Sequence, residues 1–153
     1  MNTSEVGISL IKRFEGFRSS PYRCPNDVPT IGYGTTIYPD GRPVRLCDAD
    51  IKEKEAVVFL KSDVSRFEAQ VSKLVTSQLN QNQFDALVSF AYNLGGGALK
   101  RSTLLKKVNI NPCDPSIRTE FEKWVNAGGK KLKGLVLRRE AEAELYFSHA
   151  PTS

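Results

Sequence analysis

The sequence is poor in the residue types that build disulfide-stapled or metal-dependent folds. Its 153 residues include three cysteines, one histidine, one methionine and one tryptophan. Cys24, Cys47 and Cys113 are odd in number, and none belongs to a CxxC pair. This pattern argues against a disulfide framework and against a zinc site. We therefore expect neither a metal nor any other cofactor.

Long apolar runs are also missing. No stretch approaches the roughly 20 apolar residues that a membrane-spanning helix needs. Residues 1–16 contain Lys12, Arg13 and Glu15 and lack the apolar centre of a signal peptide. The sequence predicts no stable insertion into a membrane and accumulation in the cytoplasm where the chain is made. A substrate outside that cytoplasm would require a separate route.

Positive charge exceeds negative charge, with 22 Lys and Arg against 17 Asp and Glu, a net charge of +5 and a pI near 9.2. Such a balance attracts polyanions, which include nucleic acid, acidic lipid and anionic cell wall. The basic residues are scattered, and even the densest stretch, 130–139, is interrupted by Leu and Gly. No nucleic-acid reader motif is present, so we expect no nucleic-acid partner.

The order of hydrophobic patterns predicts an α+β fold that is mainly helical. Thr3 or Ser4 caps a first helix that stops at Gly16. Aromatic and β-branched residues over 21–44, with a Pro39-Asp40-Gly41 turn, predict a hairpin or a three-stranded sheet. An apolar stripe then predicts one long helix from about Asp50 to about Leu74.

Four further helices are predicted in the C-terminal half. One is capped by Asn80 and ends at Gly95-Gly96-Gly97, and a short one begins after Ser102. The third follows Asp114-Pro115, runs to Gly128-Gly129 and turns Ile117, Phe121, Trp124 and Val125 inward. The last spans about 135–147 and carries an apolar series of Leu137, Ala141 and Leu145. The prediction is one domain, 1–153: a small mixed lobe at about 14–50, a bridging helix at about 50–75, and a helical lobe at about 76–150 that includes the N-terminal helix.

Glu15 is the first residue with predicted chemistry, because it falls at the C-terminal end of the first helix. The negative end of a helix dipole disfavours an ionised carboxylate, and the flanking Phe14 and Phe17 exclude water. A glutamic acid that keeps its proton can protonate a glycosidic oxygen. A surface glutamate that merely ends a helix would occupy the same position.

The spacing around Glu15 resembles a known catalytic signature. Eight residues separate Glu15 from Cys24, and five more separate Cys24 from Thr30 in a Pro-Thr-Ile-Gly-Tyr-Gly context. This arrangement is similar to that of the phage-type lysozymes, glycoside hydrolase family 24, which include the T-even and lambdoid phage endolysins. The likeness continues in the family's order over 86–95, 102–105, Phe121, Trp124, 127–130, 134–139 and Glu142.

The resemblance implies a lysozyme-like fold and a role for each matching residue. Glu15 corresponds to the general acid, and Thr30 to the residue that holds the attacking water. Cys24 stands where many relatives have an aspartate that acts as base or stabilises positive charge on the sugar. Tyr92 and Asn93 match a segment that contacts the glycan. Arg138, with Arg139 as the alternative, resembles the arginine that pairs with the catalytic glutamate.

Cys24 departs from the commonest pattern and leaves two interpretations. In one, Cys24 acts as a thiolate in the carboxylate's role, with its pKa depressed from about 8.5 by positive charge such as that of Arg23. In the other, Cys24 is tolerated and Asp27 is the base, although Asp27 follows Pro25-Asn26 and suits a turn. The family implies inversion, but sequence spacing cannot measure the gap between the catalytic groups.

The function implied is that of a monomeric endolysin. It would cleave the β-1,4 bond between N-acetylmuramic acid and N-acetylglucosamine in peptidoglycan, and it would reach the wall through a membrane-permeabilising holin. Two alternatives stay open. A lytic transglycosylase would use one acidic residue and release anhydro ends, and a non-catalytic basic module would only bind the wall or nucleic acid.

Overall fold

The computed structural model describes residues 1–24 and 26–148. These residues contain seven helices and two short β-hairpins. The predicted class, α+β and mainly helical, is confirmed. The predicted domain also includes Pro25 and residues 149–153, which lie outside the described residues. The elements, in chain order, are α1 (Glu5–Glu15), β1 (Arg18–Arg23), β2 (Pro29–Gly32), α2 (Glu53–Leu74), α3 (Gln81–Leu94), α4 (Gly96–Arg101), α5 (Thr103–Ile110), α6 (Ile117–Glu122), β3 (Asn126–Ala127), β4 (Lys130–Lys131) and α7 (Lys133–Phe147).

The chain divides into two compact units, which we call the hairpin unit (Ile11–Arg66) and the helical unit (Met1–Leu10 with residues from Phe67 onward). In the hairpin unit, β1 and β2 pair antiparallel, with Tyr22 opposite Thr30. Ile31–Thr35 and Ile37–Pro43 form only isolated bridges, so the hairpin forms and the three-stranded sheet does not. The predicted turn is confirmed by the Gly41 amide, which donates to the Tyr38 carbonyl at 2.9 Å.

The hairpin lies against α2. Gly32 has φ +67, and a Cβ there would lie 3.1 Å from that of Ala56. The strand therefore packs so closely against the helix that a residue without a side chain is needed at this position. Farther along α2, the Thr35 hydroxyl donates to the buried Asp63 carboxylate at 2.7 Å. The long helix is confirmed, with its start at Glu53 instead of about Asp50. Its predicted stripe is buried at Ala56, Leu60, Val64 and Val71.

In the helical unit, α3 is the central helix, because all residues from 83 to 91 are buried. Asn80 caps it as predicted: its side chain accepts from the Gln83 amide, and the Gln83 side chain accepts from the Asn80 amide. The glycine run ends α3, as predicted, but a further short helix that was not predicted begins within it. Gly95, at φ +94, ends α3, but Gly96 and Gly97 open α4.

The third predicted helix is too long. Helix α6 ends at Glu122, so Trp124 and Val125 lie beyond it and are half-buried. Gly128 and Gly129 have φ of +59 and +77. Two consecutive left-handed residues form the tight turn that matches strand twist, so they join β3 to β4 and do not stop a helix.

The apolar stripe predicted for the last helix is wrong. Leu137 is 43% exposed, and Ala141 and Leu145 are half-buried. The buried face of α7 carries Arg138, Arg139, Glu142, Ala143 and Tyr146. Hydrophobic periodicity misses this face because three of its members are charged and bury one another as ion pairs. Within residues 1–24 and 26–148, no helix combines the length and the apolar character of a bilayer span.

Candidate active site

Glu15 is the last residue of α1, as the sequence predicted. Gly16 adopts φ +73, and its amide donates to the Lys12 carbonyl at 2.9 Å, which closes the final turn. The chain then reverses into β1. The Glu15 side chain is half-buried at the C-terminal end of this helix.

Cys24 and Thr30 lie on one face of the β1–β2 hairpin. Cys24 directly follows β1, and its amide donates to the Val28 carbonyl at 3.1 Å, which extends the pairing. Thr30 is opposite Tyr22. Side chains alternate along a strand and match across a pair, so Tyr22, Cys24 and Thr30 share this face.

The surroundings of Cys24 favour its thiolate. Hydrogen bonding from the Val28 backbone is the largest cause that lowers the pKa of the thiol, and partial burial opposes it. The Asn26 backbone lowers the pKa further. The expected effect of Arg23 is wrong, because its guanidinium pairs with Asp27 at 3.2 Å. Hydrogen bonds, and not a neighbouring cation, stabilise the thiolate.

Asp27 has the geometry of a turn residue. Its φ is +63, and it is the one residue other than glycine with positive φ among those described. Its amide donates to the Cys24 carbonyl at 2.8 Å. The side chain is 81% exposed and pairs with Arg23, which alternates away from the face that carries Cys24. This geometry favours Cys24 over Asp27 as the base.

Thr30 is buried, and its hydroxyl donates to the Val28 carbonyl at 2.8 Å. A hydroxyl has one proton to donate and two lone pairs that accept. With its proton directed to Val28, the oxygen keeps capacity to accept a hydrogen bond from a water molecule. That water would lie on the same face as the Cys24 thiol.

Tyr22 links these groups, and the sequence analysis assigned it no role. Burial is the largest cause that raises the pKa of its hydroxyl, followed by the negative charge of Glu15, while Arg18 lowers it and Cys24 raises it. Glu15 and Cys24 therefore both lie close enough to Tyr22 to raise the pKa of its hydroxyl. Strand alternation from Cys24 would have placed Tyr22 on this face.

Tyr92 and Asn93 lie in the last turn of α3, in the helical unit. The Tyr92 ring packs edge-on against Phe67, with centroids 5.4 Å apart. The Asn93 side-chain oxygen accepts a 2.7 Å hydrogen bond from Arg139 Nη2. Both side chains are half-buried, so each keeps one accessible side.

Arg138 and Arg139 converge on Glu142, which is fully buried. Arg138 Nε lies 3.4 Å from Glu142 Oε2, and its Nη2 donates to the Ser89 carbonyl at 3.3 Å. Arg139 Nε lies 2.8 Å from Glu142 Oε1. The Ser89 hydroxyl donates to Glu142 at 2.5 Å. Burial raises the pKa of Glu142, and the two arginines oppose that shift.

Known proteins resemble this chain over nearly its whole length. The phage lysozyme family model matches residues 12–142. The endolysin of Bacillus phage B103 is 46% identical over 149 residues, 97% of this chain, although the chain spans only 55% of the length of that relative. The endolysin of Salmonella phage P22 is 37% identical over 97% of this chain and 99% of its own length.

The fold has equally similar solved structures. An endolysin from Escherichia coli O157:H7 phage FAHEc1 superposes with a TM-score of 0.88 at 36% identity, covering 99% of this chain and 98% of that one. The family resemblance drawn from the residues around Glu15 is thereby confirmed.

Proposed function

Because this chain belongs to the phage lysozyme family, we propose that it is an endolysin that hydrolyses the β-1,4 bond between N-acetylmuramic acid and N-acetylglucosamine in peptidoglycan. Its action would lyse the host cell and release phage. One observation carries the proposal. Within the hairpin unit, the Glu15 carboxyl and the Cys24 thiol both lie close enough to Tyr22 to raise the pKa of its hydroxyl, and Thr30 lies directly opposite Tyr22 in the β1–β2 pair.

In the proposed reaction, Glu15 gives its proton to the glycosidic oxygen as the bond between that oxygen and the sugar carbon breaks. A water molecule held by Thr30 attacks the same carbon, and the Cys24 thiolate takes the proton that the water loses. The leaving sugar departs as an alcohol, and Cys24 ends as a thiol. Return of that proton to Glu15 through solvent restores the enzyme.

The stereochemistry of the product tests the role of Cys24. A thiolate that acts as base through water inverts the anomeric carbon, whereas a thiolate that attacks the carbon forms a covalent intermediate and retains the configuration. We propose the first course, because Thr30 keeps acceptor capacity for a water on the thiol's face. Proton NMR of the first-formed product distinguishes the two.

In the helical unit, we propose that Tyr92 and Asn93 bind the glycan and that Arg138 orients Glu15. The position of Asn93 beside the partly exposed Tyr92 supports the first assignment. The second follows the family resemblance; both arginines pair with Glu142, and Arg139 in addition holds Asn93. Substitution of Arg138 by Met should lower kcat more than it raises KM if the residue orients the acid.

The decisive experiment compares the wild type with Glu15→Gln on permeabilised Gram-negative cells, followed by mass spectrometry of the soluble products. We expect the wild type to clear the suspension and to release reducing ends, and the variant to lose about 10²-fold or more of the rate. Equal clearing by both proteins would mean that charge alone disrupts the cells. Anhydro ends would identify a transglycosylase.

We also propose that the chain acts as a monomer, accumulates in the cytoplasm and depends on a holin for access to the wall. Expression with and without a holin tests the last point, because lysis without the holin would require another route to the periplasm. Light scattering after size-exclusion chromatography should give the monomer mass of 17.0 kDa.

A further inference from the structure

We propose that Arg139 is a positioning residue that fixes the side-chain amide of Asn93, so that Asn93 presents its NH₂ group, and not its carbonyl oxygen, to the glycan. The ligand group recognised would then be a hydrogen-bond acceptor, such as the acetamido carbonyl oxygen of a sugar. The inference rests on the proposed function. It adds Arg139 as a residue that affects binding of the glycan only through its contact with Asn93.

The polarity of the contact follows from the chemistry of the guanidinium. An arginine has five N–H donors and no acceptor. Arg139 Nη2 lies 2.7 Å from Asn93 Oδ1, so rotation of the amide by 180° would bring two donors together. The carbonyl oxygen is held inward, and the NH₂ group is left on the other side of a half-buried side chain.

Arg139 is itself held firmly. It is fully buried, and both oxygens of Glu142 lie near it, Oε1 at 2.8 Å from Nε and Oε2 at 3.3 Å from Nη2. The guanidinium also lies over the Phe90 ring, 5.2 Å from its centroid. Glu142 is anchored in turn by the Ser89 hydroxyl. The donor that faces Asn93 therefore has little freedom to follow a displaced amide.

The bond to Asn93 is also the best that Arg139 makes. Among the described residues, Nε and Nη1 have no hydrogen-bond partner of good geometry, although Nε is close to Glu142 as an ion pair. A buried donor left unpaired is costly. Rotation of the Asn93 amide away from Arg139 would therefore leave one more unpaired donor on the guanidinium, and this cost holds the amide in place. Ser89, Glu142 and Arg139 thus connect the interior of the helical unit to the exposed side of Asn93.

Asn93→Asp is the sharpest test, because it replaces the NH₂ group by oxygen and leaves the oxygen that Arg139 binds. We expect this variant to fold with an unchanged or higher melting temperature. On purified peptide-free glycan strands, its KM should rise about tenfold, the loss of one hydrogen bond, with kcat changed less than twofold. An unchanged KM would overturn the proposal.

Arg139 is tested through its coupling to Asn93. Because Arg139→Met removes one of the two arginines that pair with the buried Glu142, Arg139→Met/Glu142→Met is made alongside it. We expect a rise in KM in this background, and no further rise when Asn93→Ala is added. Arg139→Lys, which keeps a donor and the charge, should restore part of the affinity. Additive effects of Asn93→Ala and the double replacement would overturn the coupling.

Failure of this inference can be told apart from failure of the proposed function. If the wild type does not cleave glycan strands, or Glu15→Gln cleaves them equally well, the proposed function fails. If the wild type cleaves and Glu15→Gln does not, but Asn93→Asp keeps its KM, only the role of the Asn93 amide is lost.

Discussion

At the scale of single residues, the proposed chemistry depends on the protonation of Cys24, a thiol at the position where the family resemblance implies a carboxylate. In that proposal the thiolate is the base, and hydrogen bonding lowers the pKa of Cys24 from its ordinary value of about 8.5. The rate of hydrolysis should therefore rise with pH through a limb that lies below about pH 8.5, and should be lost at lower pH as the thiol takes up its proton. The pH profile of glycan-strand cleavage measures this limb.

Cys24→Asp provides the comparison, because an aspartate ionises near pH 4. This variant should keep lysis and move the rising limb down by several pH units, whereas Cys24→Ala should lose about 10²-fold of the rate. Cys47→Asp, at an exposed cysteine of the same unit, is the matched control and should leave the profile unchanged. Identical profiles for Cys24→Asp and the wild type would exclude Cys24 from the mechanism.

The sequence identified the candidate residues of the hairpin unit but not what tunes them. Glu15, Cys24 and Thr30 follow from spacing and resemblance. The lowered pKa of Cys24 depends on the backbone of Val28 and Asn26. Every residue type has these backbone groups, so their hydrogen bonds to the thiol cannot be predicted from the sequence. The nearest cation in the sequence, Arg23, was therefore the wrong explanation.

At the scale of elements, the close approach of β2 to α2 predicts a specific cost for a single methyl group. Gly32→Ala places a Cβ 3.1 Å from that of Ala56 and also strains a backbone at φ +67. Gly41 has φ +92 with open space around it, so Gly41→Ala carries the backbone strain alone, about 1–2 kcal/mol. We expect Gly32→Ala to lower the free energy of unfolding by about 1 kcal/mol or more beyond that. Urea unfolding measures the loss of unfolding free energy in both variants. Equal losses would show that α2 moves enough to accommodate the added methyl group without cost.

The contact between α5 and α6 predicts a pH-dependent stability. The Glu120 side chain is 5% exposed and pairs with Lys107 at 2.8 Å and Lys123 at 3.0 Å. Hydrogen bonding from Lys107 is the main cause that lowers the pKa of Glu120. A carboxyl with a lowered folded pKa stabilises the protein above its unfolded pKa, near 4.3, and this contribution disappears as the pH falls through the folded value.

Glu120→Gln should therefore cost about 1–3 kcal/mol at pH 7 and progressively less below about pH 4. Glu122→Gln, at an exposed position of the same helix, should be neutral throughout. Thermal unfolding measured between pH 3 and pH 7 compares the two. A constant cost for Glu120→Gln across that range would assign it to lost packing and not to charge.

Elements with an apolar stripe were predictable, and those without one were not. Helix α2 shows a continuous stripe, and α3 adds a capping box, so both were placed within a few residues. In α7, Arg138, Arg139 and Glu142 take the buried positions, and the stripe through Leu137 pointed to the wrong face. The Gly128-Gly129 pair is typical both of the end of a helix and of a hairpin turn. Only the backbone conformation shows that it forms a hairpin turn here.

At the scale of the whole molecule, the net charge of +5 predicts that ionic strength controls the action on whole cell walls. Lys130 and Lys131 are exposed on β4, and Lys130→Gln/Lys131→Gln lowers the net charge to +3, since 5 − 2 = 3. At about 20 mM salt this variant should lyse cells more slowly than the wild type. At about 300 mM the difference should shrink, because screening shortens the reach of exposed charges to below about 8 Å.

Lys130→Arg/Lys131→Arg keeps the charge and should behave as the wild type at both salt concentrations. Both double variants should keep the wild-type melting temperature, since exposed charges contribute little to stability. Their rates on short peptide-free glycan strands should also be unchanged, because the long-range field concentrates the enzyme on an extended anionic wall and takes no part in the bond cleavage proposed for Glu15. A loss of rate on short strands would instead place the β3–β4 hairpin in direct contact with the reacting glycan.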